Sequence, residues 1–213
     1  MIGILINCRL QSIRLPRKHL MQINGEPILS FLIGSIQREF AQEISDGKVR
    51  IIIATNSTAD NISEFSKFGV NVGYGNERNI PLRQLEIAEG FGLDHVISID
   101  GDDIACYPEG MRLVYERLLK GKDYVRTTGL PFGMNCFGYS TKFLCDKLFE
   151  LTPFPQKLQD KAMEENWGEL FHGKNDEVIE FEDYQQEVKY SLDTDEDFAM
   201  FRELLEERDE KIE

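Results

Sequence analysis

Paired cysteines are absent from this sequence. Its four cysteines, Cys8, Cys106, Cys136 and Cys145, include no C-x-x-C spacing and have no histidine pair beside them. That pattern argues against a structural zinc site and fits thiols kept reduced in a cytosol. Long apolar runs are missing too, so no membrane span is expected. The opening run Ile2–Ile6 is too short for a signal peptide and lacks a charged n-region before it, so the expected location is cytoplasmic. Asn56-Ser57-Thr58 and Asn61-Ile62-Ser63 match the glycosylation sequon, and without a secretory signal they read as chance matches. Positive charge is in deficit: 24 Lys and Arg against 38 Asp and Glu leave a net charge of −14. Such a surface repels nucleic acid and anionic membrane, so neither is an expected partner. An anionic ligand would have to be held by a local cluster of positive charge.

What is present is enough apolar material for a packed core, 41% of 213 residues, in an alternating pattern of strands and helices. Ile2–Ile6, Val49–Ala54, Val70–Val72 and His95–Ile99 read as strands, being short, apolar and β-branched. Helices are expected from Pro27 as first residue (N1), from Ser57 or Thr58 to Lys67, from Pro81 to Phe91 and from Pro108 to Gly121, with Gly69 and Gly92 as stops. This order implies a doubly wound, mostly parallel sheet in a single α/β domain spanning residues 1–213. Beyond residue 125 the pattern is less regular. Strand candidates there are Asp123–Arg126, Gly133–Tyr139, Val178–Phe181 and Glu187–Leu192. Helices are expected near 141–150 and 155–170, and a final amphipathic one at Asp195–Arg208.

Three constellations carry chemistry. The loop Cys8–Lys18 follows the first strand and holds four basic residues, Arg9, Arg14, Arg17 and Lys18. At the carboxyl edge of an α/β sheet such a loop can clamp a triphosphate, although by composition alone it could equally be a solvated basic loop. It has no glycine, so it is neither a Walker loop nor a dinucleotide fingerprint. Asp100-Gly101-Asp102-Asp103 ends the fourth strand. It is either ordinary turn chemistry or a Mg²⁺ site facing phosphates, and crowded carboxylates favour a cation. Ser191–Asp197 contains a helix start, with Thr194 as N-cap and Asp197 at N3. Capping does not require Asp193, which therefore stands out.

These residues resemble a known family. Arg9, Ser12, Arg14, Leu15, Pro16 and Lys18, followed by Ile23-Asn24-Gly25-Glu26-Pro27-Ile28-Leu29, are similar to the opening signature of the cytidylyltransferases, which include the Kdo and acylneuraminate enzymes. The spore-coat polysaccharide F branch is the most similar. Ile99-Asp100-Gly101-Asp102 and Asp193-Thr194-Asp195-Glu196-Asp197 match its later motifs in order. The resemblance implies a nucleotide-diphospho-sugar-transferase-like (Rossmann-like) fold. It implies that Arg9, Ser12, Arg14 and Lys18 hold the triphosphate, with Lys18, Arg9 and Asp102 catalytic. Arg83 would line the nucleotide end, and Asp102 and Asp193 would bind Mg²⁺. The implied partners are CTP and an acidic sugar of Kdo or sialic-acid type, and a homodimer with region 126–190 as its arm. Two departures are visible: Asp103-Ile104-Ala105 lacks the usual proline, and Phe137 stands where the family has Glu. A guanylyl- or uridylyltransferase on the same scaffold, a glycosyltransferase using Asp100-Gly101-Asp102 as its D-x-D motif, and an inactive nucleotide-binding homologue are the alternatives. His19 is left without a chemical role, and His95 reads as packing.

Overall fold

The computed structural model of the chain describes residues 1–151, 171, 176–182 and 188–210. In chain order its elements begin with β1 (Ile2–Asn7), β2 (Gln22–Ile23), β3 (Glu26–Pro27), α1 (Ile28–Glu39), α2 (Ala41–Ser45) and β4 (Val49–Thr55). There follow α3 (Ala59–Phe65), β5 (Asn71–Tyr74), α4 (Ile80–Phe91), β6 (His95–Asp100) and α5 (Pro108–Leu119). The last are β7 (Tyr124–Thr128), β8 (Phe137–Ser140), α6 (Thr141–Leu151), β9 (Glu177–Glu180) and α7 (Asp195–Glu210).

Seven strands form one sheet in the order β5-β4-β1-β6-β8-β7-β9. β4 and β6 flank β1 in parallel, while β8 runs antiparallel to both β6 and β7. Successive side chains of a strand face opposite sides. Ile4 and Ile6 accordingly pack with Leu29, Leu32 and Ile36 of α1 and Met111, Val114 and Leu118 of α5. Leu5 packs on the other face with Leu85, Ile87 and Ala88 of α4 and Leu144 of α6. Each such buried Leu, Ile, Val or Met side chain contributes about 1.5–3 kcal/mol. A smaller third core joins Leu15, Ile23, Ile28, Ile104, Leu192 and Phe201. It lies under the three polar constellations and holds them together. No helix among the described residues is long and apolar enough to cross a membrane.

The doubly wound sheet matches the expectation from sequence, and four details differ. Pro27 lies in β3 and is the residue before α1 rather than its first. An Asn24-Gly25 turn, with φ of 50° and 84°, folds β2 onto β3, and this hairpin claims the proline. α4 starts at Ile80, because the Asn79 side chain accepts from the Leu82 N–H and caps it. β8 covers only the end of Gly133–Tyr139, since the chain turns at Pro131–Met134. Residues 188–192 of the expected strand Glu187–Leu192 form no ladder: Tyr190 N–H bonds Phe132 O and Leu192 N–H bonds Asp102 O, each singly. The helix expected near 155–170 lies outside the described residues.

Candidate active site

β1 sits where the connections change direction, to β4 on one side and β6 on the other. In an open α/β sheet the crevice at the carboxyl ends of such strands is where ligands bind. Two loops meet there. The first leaves β1 with Cys8 N–H bonded to Ala54 O, and Leu10 N–H bonded to the Asn61 side chain. It closes when Arg17 N–H returns to Leu10 O at 3.0 Å, with Arg17 left-handed at φ 57°. That turn drives Lys18 and His19 inward, to 6% and 3% exposure, and leaves Arg9, Arg14 and Arg17 in solvent. Ser12 is half-buried on the same loop. The second loop leaves β6 at Asp100. Gly101 N–H bonds Asn7 O at 2.8 Å, and a side chain at 101 would overlap the Cys8 sulfur and that same carbonyl. The two loops can touch because residue 101 is glycine.

Lys18, Asp102 and Asp193 converge. The Lys18 Nζ lies 2.5 Å from Asp102 Oδ2, 2.8 Å from the Leu192 carbonyl and 3.3 Å from Asp193 Oδ1. Positions 102 and 193 thus share one cationic neighbour, and the two carboxylate oxygens can be no farther apart than those two Nζ distances laid end to end. Arg14 Nη2 reaches Asp193 Oδ1 at 2.8 Å. Lys189, a residue that no sequence motif marks, holds Asp193 Oδ2 at 2.9 Å and Asp197 Oδ2 at 3.0 Å. Burial pushes the Asp193 carboxyl up, but Lys189, Lys18 and Arg14 outweigh it and hold it below the usual range. The cap of α7 is as the sequence suggests. Asp197 Oδ2 accepts the N–H groups of Asp193 and Thr194, and Thr194 Oγ1 accepts that of Asp197. Asp193 therefore owes its position to a capped helix and to Leu192 N–H on Asp102 O, not to the end of a strand.

The neighbouring polar groups are held from behind. Asn7 Nδ2 donates to Asp100 Oδ1 and to the Ile99 carbonyl, and buried Gln84 donates to Asn7 Oδ1 at 2.8 Å and Ser98 Oγ at 2.7 Å. Neither Asn7 nor Gln84 was singled out from sequence. Their signal was a polar residue within an apolar pattern. Burial, then the Asp102 charge, pushes Asp100 up to about 7. Asp103 is raised by burial and by both neighbouring aspartates. His19 is lowered to about 4 by burial, and its Nδ1 has no hydrogen-bond partner among the described residues; it stays neutral behind the site. Arg83 is buried, and its guanidinium donates to the carbonyls of Asn76 at 2.8 Å and Glu77 at 2.6 Å. It shapes the loop before α4, close enough to Arg9 that this charge, after burial, lowers its pKa.

Beside this cluster a cavity of about 490 Å³ opens at the carboxyl end of β7, with Arg126, Thr128, Asn135, Tyr124, Phe132 and Phe137 among its lining. The strip 190–192 connects the two places, bonded to Phe132 at one end and Asp102 at the other. Phe137 packs with Tyr124, Tyr139 and Phe171, so its departure from the family pattern puts an aromatic wall here.

The cytidylyltransferase family model matches residues 3–144. A cytidylyltransferase from Leptospira borgpetersenii serovar Hardjo-bovis is similar in structure, with 19% identity and a TM-score of 0.78 over 94% of this chain and 84% of that one. A CMP:2-keto-3-deoxy-manno-octonic acid synthetase complexed with CTP is 15% identical, with a TM-score of 0.69 over 97% of this chain and 99% of that one. The 4-diphosphocytidyl-2C-methyl-D-erythritol synthase of Anaerococcus prevotii is 13% identical, with a TM-score of 0.61 over 96% and 98% of the two chains. At these identities the likeness is one of fold. A comparison with curated proteins found no match.

Proposed function

Since this chain belongs to the cytidylyltransferase family, we propose that it transfers CMP from CTP to a hydroxyl of an acidic sugar and releases pyrophosphate. The observation that carries the reading is the meeting of Lys18, Asp102 and Asp193 at the carboxyl ends of β1 and β6. Family membership makes the protein a nucleotidyltransferase, and it sets aside the reading of Asp100-Gly101-Asp102 as a glycosyltransferase motif.

In-line attack on the α-phosphorus needs little covalent help, so positioning and charge neutralisation carry the rate. Lys18, Arg9 and Arg14 supply positive charge to the triphosphate and its pyrophosphate leaving group, and Ser12 adds a hydroxyl on the same loop. Arg83 works indirectly, by holding the loop 76–77. Mg²⁺ fits the donor set of Asp102 and Asp193. Both are hard oxygen ligands, and a cation, the Lys18 ammonium, already sits between them. Among the described residues no group of three or more acidic, His or Cys side chains gathers as a metal cage. Mg²⁺ characteristically takes one or two carboxylates and completes its shell with water and phosphate oxygens. When bound it would neutralise phosphate charge.

The cavity at β7 is our acceptor site. Aromatic walls suit a sugar ring, and Arg126, paired with Asp176 at 3.5 Å, is a cation in the lining that an acidic acceptor could engage. The homodimer implied by the family resemblance belongs to the same reading, and light scattering tests it. The central test compares nucleotides. With Mg²⁺ present, CTP should raise the melting temperature more than GTP, ATP or UTP; at ~100 times its Kd it should add about 2.7 kcal/mol of stability over the ligand-free protein. Pyrophosphate release should then follow with Kdo- or sialic-acid-type acceptors. A preference for GTP would remove the cytidylyl assignment and leave nucleotidyl transfer standing.

A further inference from the structure

We propose that Lys18 is the resident counter-ion of the Asp102–Asp193 pair in the nucleotide-free protein, so that divalent cation and triphosphate bind in mutual dependence. This rests on the reading above, in which those two carboxylates hold the metal.

An ammonium has three N–H donors and no acceptor. Those of Lys18 have three partners: Asp102 Oδ2, Asp193 Oδ1 and the Leu192 carbonyl. In this arrangement no donor is left for a phosphate oxygen. The side chain is also 7% exposed, beside carboxylates at 24% and 9%. Taking one member away from a buried ion cluster leaves uncompensated charge at high cost. Lys18 therefore leaves its carboxylates only as another cation arrives. The converse holds as well: a divalent ion approaching while the ammonium remains meets like charge at contact distance in a poorly screened site. Exchange satisfies both conditions, with the triphosphate drawing Lys18 away and the cation that accompanies it taking the vacated oxygens.

The carboxylates are built to stay in place during the exchange. Lys189 grips the far oxygen of Asp193, and Arg14 the near one. Asp197 fixes the Asp193 N–H, and Leu192 N–H holds the Asp102 carbonyl. Lys189 is thus a positioning residue, and among the described residues Lys18 is the one cation at Asp193 that also touches Asp102.

The test is Mn²⁺ binding, as a spectroscopic stand-in for Mg²⁺, to nucleotide-free protein by electron paramagnetic resonance. Lys18→Met should bind Mn²⁺ about 5- to 150-fold more tightly than wild type, the usual range of site-to-site coupling. Arg14→Met removes a positive charge from the same Asp193, but one whose side chain is 71% exposed, and it should gain far less. Should Lys18→Met not fold, Lys18→Gln is read in its place, since its amide can still donate to the Leu192 carbonyl. Wild type binding Mn²⁺ as tightly as the lysine variant overturns the proposal and leaves the metal site intact; so does an equal gain in Arg14→Met. If no variant shows protein-bound Mn²⁺ even with CTP added, the metal reading itself fails, and the proposal with it.

Discussion

Burial holds His19 down to about 4, whereas burial and then the charge of Asp102 push Asp100 up to about 7. The two have opposite consequences for stability. The unfolded chain protonates His19 near 6.5 while the folded one resists until about 4, so stability is lost as pH falls through that window. For Asp100 the folded chain keeps its proton to about 7 while the unfolded one releases it near 3.8, so stability is lost as pH rises. Asp103, raised for the same reasons, adds to the second effect. In wild type these trends partly cancel between pH 4 and 6.5. His19→Gln should expose the carboxylates, with stability falling as pH rises. Asp100→Asn should shift the slope towards stability rising with pH, by at most about 3 kcal/mol for the histidine. Urea melts at pH 4.5, 5.5 and 6.5 check this, and slopes identical to wild type in both variants would refute it. At this scale the polar residues that the sequence marks as candidates, Lys18, Arg14, Asp102 and Asp193, do come together. It could not show that Arg83 points at backbone carbonyls, because a side chain's partner depends on the loop it faces. Lys189 had no signal at all, since an isolated lysine in an acidic stretch looks like solvated surface.

The cap of α7 is the element on which the far half of the site depends. Asp197 Oδ2 accepts from two backbone N–H groups and from Lys189. Asp197→Ala removes the N3 half of the capping box and should cost about 1–3 kcal/mol as two backbone N–H groups lose a charged acceptor. It should also release Lys189 and loosen Asp193, raising the Mg²⁺ concentration needed for half-maximal activity. Asp195→Ala serves as control, since it removes a first-turn acid without touching the cap. Equal effects of both substitutions on metal dependence would mean that the cap does not position Asp193. Thr194 and Asp197 were readable because capping is local chemistry. Strands β1, β4 and β6 were readable because a central parallel strand is apolar on both faces. The segment 188–192 was not, because its alternating residues imitate a strand while its backbone makes single bonds to Phe132 and Asp102. The β2–β3 hairpin was missed although Asn24-Gly25 is a strong turn signal, because its strands are two residues each and have no periodicity to read.

At the scale of the whole molecule, the sequence gives the order of elements but not the order of strands in the sheet. That β1 lies between β4 and β6 follows only from packing, and it is what brings residues 18 and 102 to one crevice. Charge is the other molecular property, and it opposes the proposed ligand. A net charge of −14 repels a triphosphate, while Arg9, Arg14 and Arg17 on the exposed loop attract it. Which wins depends on range. A chain of this length has a radius of gyration of roughly 17 Å. The screening length is about 30 Å at 0.01 M salt, so the whole negative charge is then felt at the crevice, and about 8 Å at 0.15 M, so that only the loop is. The association rate of Mg²⁺–CTP, which is still an anion, should therefore rise between those salt concentrations, opposite to the fall expected when a ligand is steered by complementary charge. Stopped-flow binding at a series of NaCl concentrations measures it. A rate that falls steadily with salt would show that the basic loop dominates the field even at long range, and that the acidic surface is turned away from the path by which the nucleotide enters.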